Sequence, residues 1–432
     1  MNSPKSIFII SFSLICLLFS SGCDSSKSEM IIEPGIHEPL NTVSRTTAEM
    51  IANSIMSDDA IIPTRSEGYK VKDYFSIPAE DGSDLIHVFN YEGGGFVLIA
   101  GDNRLEPVLA YSERSSFSNG SSKPLGLQIW LGRLNVNLKD LKNNRREQES
   151  GIKYLWENYT SGNETFTRSL TPEEGIDPES DTLVGPLILD SWYEGEPFNE
   201  GLGLQYHYMT YYSYINNTEQ GQWEYHVPVI GGLPMSIARI MHFWNYPTSY
   251  PWNSMSNSSA DTYNVSLIQN VYNDVLTYSI ANGYSVNYQG LVNADGNYVQ
   301  RYYTSFSPSF PTNIYLINAI GFSSAISVNY SLSDRYIIRR EIFDNLRPVI
   351  LTGSCNSESL LPTHTWICDG YHYKFEHWYD ENMNPIGVVT NKMHHRWGMG
   401  GYDGWYSSSD MDIYGDGDTY DVNMKLVYKI YP

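Results

Sequence analysis

The sequence is poor in cysteine and in positive charge. Its 432 residues include four cysteines, and 27 lysines and arginines stand against 49 aspartates and glutamates, which gives a net charge of −22. So acidic a chain repels phosphate backbones, and the composition therefore disfavours nucleic-acid binding. It also has no P-loop, no GxGxxG motif after a strand and no CxxC pair, so common nucleotide-binding and redox signatures are missing.

What the chain does contain is typical of globular protein. Hydrophobic residues make up 41% of the sequence and charged residues 18%, while the aromatic share of 14% includes 35 tyrosines. Disordered chains are poor in aromatic residues. A length of 432 residues is too great for one compact core. We therefore expect two folded domains with additional segments.

The N-terminus has the pattern of an export signal. Lys5 precedes an apolar run over residues 7–19, and Ser-Ser-Gly-Cys ends the segment at Cys23. Small residues before a cysteine resemble a bacterial lipobox. This reading makes residues 1–22 a lipoprotein signal peptide, Cys23 the lipidated residue and residues 23–45 a flexible tether. The mature chain is then exported and membrane-anchored, in the periplasm or on the cell surface. The alternative is an ordinary secretory signal with an incidental cysteine.

Residues 46–150 are predicted to form a small α+β domain. Periodic apolar positions predict helices and alternating runs predict strands, with a glycine triplet between the first two strands. The helices are expected at 47–56 and 125–141, and the strands at 85–90, 96–100 and 107–111. Residues 151–183 lose this periodicity and gather polar residues, which indicates a linker. Within it, Arg168 is a candidate site for proteolytic nicking.

Residues 184–432 are predicted to form a second α+β domain with a twisted antiparallel sheet. Its one clear helix begins after Gly231-Gly232 and continues to Trp244, with Pro234 in the first turn. The start of a helix stabilises an anion, and cysteine peptidases place their thiolate there because the pKa of the thiol is lowered. Gly232 has no group that could ionise.

Two further segments have the layout of a papain-like site. His364 lies on a short predicted strand that an Asp-Gly turn follows, and Trp397 lies in the glycine-rich turn Arg396-Trp-Gly-Met-Gly-Gly401. In such a site the imidazole deprotonates the thiol and later protonates the leaving amine.

Taken together, these motifs resemble the streptopain family of papain-like cysteine peptidases. Residues 96–112 are similar to the family's propeptide/inhibitor domain, and 231–247, 363–371 and 396–401 to its helix, histidine and tryptophan motifs. The resemblance implies a catalytic trio and three substrate-binding positions. The catalytic positions are Gly232 in place of the nucleophile, His364 as the base and Trp397 as the shielding residue. The substrate-binding positions are Glu194, Thr363 and Met399. Gly232, Glu194, Thr363, Arg396 and Met399 replace the residues of the family motif.

The resemblance and its departures favour a catalytically impaired pseudopeptidase that binds peptides or a partner protease. The alternatives are an active streptopain-type cysteine endopeptidase, made as a zymogen, and a protease inhibitor that acts through its N-terminal domain. No cofactor and no metal are expected. The alignment further predicts that Gly232→Cys places a thiol within reach of His364 and restores weak activity, against the negative charge of Glu194.

Overall fold

The structure is a computed structural model of the chain. It describes residues 41–55, 70–120, 123–160, 180–213, 218–292, 298–331, 334–354, 363–379, 385–408 and 422–432. Cys23 and the predicted signal and tether before residue 41 lie outside the described residues, as do Arg168 and Cys355.

The described residues contain both helices and strands throughout. The helices are α1 (Arg45–Ile55), α2 (Leu125–Asn143), α3 (Ser150–Thr160), α4 (Gly232–Trp244), α5 (Thr262–Ala281), α6 (Thr312–Tyr315) and α7 (Arg335–Phe343). The strands are β1 (Val71–Pro78), β2 (Asp84–Tyr91), β3 (Phe96–Ala100), β4 (Val108–Ser112), β5 (Ser180–Val184), β6 (Gln205–Ser213), β7 (Thr218–His226), β8 (Val286–Val292), β9 (Tyr298–Phe306), β10 (Ser324–Asn329), β11 (Val349–Ser354), β12 (Thr363–Tyr379), β13 (Pro385–Arg396), β14 (Gly404–Ser407) and β15 (Val422–Tyr431). The prediction of an α+β fold is confirmed.

One large antiparallel sheet runs through both predicted domains. Its order is β1-β2-β3-β4-β14-β13-β12-β11-β15-β10, and β5 pairs with β12 beside this path. The junction lies where Tyr111 of β4 is opposite Trp405 of β14 and Ala110 is opposite Tyr406. A separate four-stranded sheet has the order β7-β6-β8-β9. The N-terminal strands therefore extend the sheet of the C-terminal part.

The large sheet separates two apolar cores. Along β11, Val349 and Leu351 belong to the core that includes residues of α1, α2, α3 and α7, whereas Ile350 belongs to the core built with α4 and α5. Successive side chains of a strand point to opposite faces, so one strand contributes to both cores. The predicted nucleophile helix α4 and the N-terminal helix α2 thus lie against opposite faces.

The predicted linker contains regular structure at both of its ends. Helix α3 begins at Ser150 and buries Tyr154, Leu155 and Trp156, and β5 pairs with β12 over residues 371–375. The sequence prediction missed this helix because its apolar residues form a short patch next to polar ones. Residues 161–179 lie outside the described residues, and the domain boundaries themselves stay a prediction.

The C-terminal part contains more than the one helix predicted from the sequence. Helix α5 has 20 residues and begins with a capping box, in which Asp261 accepts from the backbone N–H of Asn264 and the Asn264 side chain accepts from that of Asp261. β12 also differs from the prediction, because it continues through Asp369-Gly370 as a 17-residue strand. The register shifts between Cys368 and Gly370, so a β-bulge replaces the predicted turn.

Candidate functional site

The N-terminus of α4 is pressed against the backbone of β12. Gly231 adopts φ +82°, which favours glycine, and α4 begins at Gly232. A Cβ atom added to Gly232 would overlap the carbonyl oxygen of Thr365 and lie 3.0 Å from its amide nitrogen. Pro234 and Ile237 are buried in the first turns. The helix and the strand therefore approach each other at a distance that only glycine permits.

This contact corrects the expectation for Gly232→Cys. The position is at a helix N-terminus, as the sequence predicts, but the space that a cysteine side chain needs is filled by the main chain of β12 at Thr365. Main-chain atoms within a sheet cannot rotate aside as a flexible side chain can. A cysteine at 232 would displace the helix from the strand before it could present a thiol to His364.

His364 directly precedes Thr365 in the chain. It is the second residue of β12 and is buried. Its Nε2 atom is 3.9 Å from Oε1 of Glu194, too far for a hydrogen bond, and neither atom has another partner. Burial lowers the pKa of His364 to about 3, because the charged imidazolium loses its hydration. At neutral pH the imidazole is uncharged.

Glu194 is uncharged at neutral pH as well. Burial raises the pKa of its carboxyl to about 8, with Arg239 opposing the rise and Asp403 adding to it. The short distance between Glu194 and His364 is therefore not an ion pair at pH 7. The sequence-based expectation of a negative charge at this position is wrong, since a protonated carboxyl carries none. It can instead donate a hydrogen bond, as the amide of glutamine would.

The predicted substrate-binding residues Thr363 and Met399 lie on segments that adjoin these two. Thr363 begins β12 and is half-buried, and Met399 is half-buried in the turn after β13. The backbone N–H of Glu194 donates to the carbonyl oxygen of Gly398 over 2.8 Å, which attaches the Glu194 segment to that turn. The structure thus places Glu194 beside both His364 and the Trp397–Met399 turn.

Trp397 is almost fully buried, at 1% exposure, and the N-terminal helix α2 lies over it. A Cβ atom on Gly126 of α2 would lie 2.7 Å from Cε3 of Trp397 and 3.0 Å from Cε3 of Trp366. The two indole rings are in contact, with centroids 5.4 Å apart. The tryptophan predicted to shield the site is itself covered by the N-terminal part.

Arg396, which precedes Trp397, binds groups of the surrounding fold. Its Nε donates to the Asp369 carboxylate over 2.8 Å and its Nη1 to the carbonyl oxygen of Asp190 over 2.7 Å, and Nη2 donates to that of Ile188. Arg396 therefore attaches the segment that leads to Glu194 to the large sheet.

A cavity of about 250 Å³ is lined by chain neighbours of Glu194 and Met399. Trp192 and Tyr193, which directly precede Glu194, line one side, and Gly400 and Gly401, which directly follow Met399, line another. Residues 112–115 of the N-terminal part complete the wall. The cavity is formed jointly by the two predicted domains.

Three comparisons with known proteins bear on these observations. Residues 40–138 match the family model of the Spi protease inhibitor. The structure superposes on a Cys-to-Ala mutant fragment of prointerpain A from Prevotella intermedia with a TM-score of 0.50 and 14% identity, over 84% of this chain and 99% of that one. The fold is that of prointerpain A. Active wild-type interpain A cysteine protease from the same organism matches with a TM-score of 0.34 and 15% identity, over 58% of this chain and 96% of that one. No curated protein sequence matches the chain.

These findings bear out the resemblance to the streptopain family that the motifs indicate. The chain combines a segment that matches the Spi protease inhibitor model with the prointerpain A fold. We use the name Spi-type domain for residues 41–160, which include residues 41–138 of the matched segment and the helix α3 that packs against α1.

Other chemically active side chains lie apart from the site. Cys368 is a free, buried thiol, and burial raises its pKa. His394 contacts the Asp369 carboxylate over 2.6 Å and His372 contacts Asp181 over 2.8 Å. Within the described ranges, no group of three or more His, Cys, Asp or Glu side chains could hold a metal ion. In the same ranges, no helix is long and apolar enough to span a bilayer.

Sequence reasoning missed two features of this site. One is the cover that α2 provides over Trp397, which depends on a contact between residues about 270 positions apart and has no local signal. The other is the need for glycine at position 232, where the motif indicates only a lost nucleophile. The unusual Gly231-Gly232 pair was the available signal, since consecutive glycines indicate a close backbone approach.

Proposed function

We propose that the chain is a pseudopeptidase, a protein with the fold of a cysteine protease precursor that does not cleave peptide bonds. The observation that carries this proposal is the contact between Gly232 and the main chain of Thr365. It leaves neither a nucleophile nor the space for one at the helix N-terminus. Removing the attacking group of a protease forfeits most of its rate acceleration.

The state of the neighbouring groups supports the same proposal. His364 is buried and uncharged without a hydrogen-bond partner on Nε2, so no thiolate–imidazolium pair is formed. Cys368 is a buried thiol whose raised pKa keeps it protonated, which makes it a poor substitute nucleophile. Ser236 lies inside α4 and is 4% exposed, so it has little access to a substrate.

The proposed ligand is a peptide or an extended segment of a partner protein, which includes a related protease. The cavity lined by the residues directly before Glu194 and directly after Met399 supports it. Its wall combines aromatic side chains, such as Tyr193 and Trp405, with charged ones, such as Arg114, and such a mixture is suited to a peptide. Fluorescein-labelled casein peptides test this by anisotropy. Ser191→Trp should fill the cavity and abolish binding, whereas Ser258→Trp, at an exposed position outside it, should not. Equal binding by both variants would place the ligand elsewhere.

We also propose that the protein is exported and held at a membrane by lipid on Cys23. The apolar run at 7–19 and the small residues before Cys23 support this proposal. A membrane attachment would place the folded part in the periplasm or at the cell surface.

A second candidate is inhibition of another protease by the Spi-type domain. The match of residues 40–138 to the Spi protease inhibitor model favours it. In this chain, however, β4 and α2 already contact the C-terminal part, so the same surface is not free to cover another protein. Titrating the full chain against interpain-type proteases tests this candidate, and stoichiometric inhibition would support it.

The activity assay is the decisive test of the proposed function. The purified chain, intact and cut between the two parts, should release no more fluorescent peptide from labelled casein than buffer does. Activity that a thiol alkylator abolishes would overturn the proposal.

A further inference from the structure

We propose that the Spi-type domain is a permanent part of this fold. It stays bound to the C-terminal part after the chain is cut between residues 160 and 180. In this role it is neither a removable propeptide nor an inhibitor that can be transferred to another protein. The inference holds whether or not the chain cleaves peptides, because it depends only on the contacts between the two parts.

The first observation is the shared sheet. β4 pairs with β14 through Tyr111 opposite Trp405 and Ala110 opposite Tyr406, and all four residues are buried. Separation would leave two strand edges without partners, and exposed edges invite aggregation. β4 of the Spi-type domain and β14 of the C-terminal part would each lose a neighbour.

The second observation is an ion pair buried across the same junction. Lys392 of β13 donates to Glu106 of the Spi-type domain over 2.5 Å, and the side chains are 8% and 3% exposed. Ser407 of β14 donates to the other oxygen of Glu106 over 2.5 Å. A buried ion pair is a weak source of net stability, but losing one partner is costly because the other charge remains buried. The pair thus makes the junction specific, because each part supplies the opposite charge that the other part buries.

The third observation is a continuous aromatic cluster. Trp130 of α2 stacks edge-on against Tyr406 at 5.1 Å between ring centroids, and its Nε1 donates to the carbonyl oxygen of Ser407 over 3.0 Å. Tyr402 contacts Phe117 at 5.2 Å. Residues of both parts form one apolar core. An interface that resembles a domain core divided in two is typical of obligate complexes, which separate slowly.

The test uses the whole chain with a site-specific protease sequence placed within residues 161–179. After complete cutting, shown on a denaturing gel, gel filtration at nanomolar concentration should give one peak at the volume of the uncut chain, with both fragments in it. Two separate peaks, or a precipitated C-terminal fragment beside a soluble N-terminal one, would overturn the proposal.

Charge reversal tests the specificity of the junction. Glu106→Lys should weaken the association of the cut fragments by about a hundredfold or more, because two buried cations then face each other. Adding Lys392→Glu should restore the association, which a variant that simply fails to fold would not allow. Glu92→Lys is the matched control, since its partner Lys70 lies within the same part and both side chains are exposed. A double variant as weak as Glu106→Lys would contradict the role of this pair.

Discussion

Replacing Glu194 by glutamine removes a carboxyl group whose ionisation the fold opposes. The pKa of this group is about 8 in the folded chain against an ordinary 4.5, and burial is the main cause. Above pH 4.5 the unfolded chain releases the proton, whereas the folded chain keeps it up to about pH 8. The raised pKa therefore contributes stability that is fully present below pH 4.5 and is lost as the pH rises to 8.

The size of the effect follows from the same values. Each pH unit between the unfolded and folded pKa lowers the free energy of unfolding by about 1.4 kcal/mol. Compared with pH values below 4.5, this loss of stability is about 4 kcal/mol at pH 7.5 and below about 1 kcal/mol at pH 5. Glutamine has nearly the same shape and does not titrate. We therefore expect Glu194→Gln to be more stable than the parent chain at pH 7.5 and nearly equal to it at pH 5.

Urea unfolding followed by tryptophan fluorescence at the two pH values measures this difference. Glu92→Gln is the matched control, because its side chain is 56% exposed and its change should stay within about 0.5 kcal/mol at both pH values. A Glu194→Gln variant that is destabilised at pH 7.5, or that gains equally at both pH values, would refute the assignment of a protonated Glu194.

Two further predictions concern the helix contact and the anchor. Gly232→Ala should destabilise the chain by about 1–3 kcal/mol in thermal unfolding, because the added Cβ meets the main chain of Thr365. Gly195→Ala is the control and should not destabilise it, because the nearest atom lies 3.7 Å from the added Cβ. Equal effects of the two changes would show that α4 and β12 do not approach each other so closely. Cys23→Ser should release the protein from the membrane fraction, and unchanged fractionation would contradict the lipid anchor.

The local structure of the chain was predictable because it depends on local patterns. The expected strands at 85–90 and 96–100 are confirmed as β2 and β3, and the glycine triplet at 93–95 forms their turn with positive φ at each residue. The helix predicted after Gly232 is confirmed as α4. In each case, apolar spacing and glycine conformation act within a few residues.

Contacts between distant segments were not predictable in this way. The pairing of β4 with β14 joins residues about 295 positions apart, and no periodicity in either strand identifies its partner. The 20-residue α5 was missed because valine, isoleucine and tyrosine on its buried face are also typical of strands, although its capping box at Asp261 and Asn264 was a usable signal.

In the site, too, local features were predictable and features that depend on distant segments were not. The motifs correctly indicated that Gly232 begins a helix and that His364 lies on a strand. They did not indicate that Glu194 is buried and uncharged, because the pKa of a carboxyl depends on surroundings that come from other segments.

We propose that this chain, despite its prointerpain A fold, has no peptidase activity. The most direct measurement is the release of fluorescent peptides from labelled casein by the purified protein, intact and after cutting within residues 161–179, with and without a thiol alkylator. We expect release at the level of buffer in every case. Release above that level that the alkylator abolishes would contradict it.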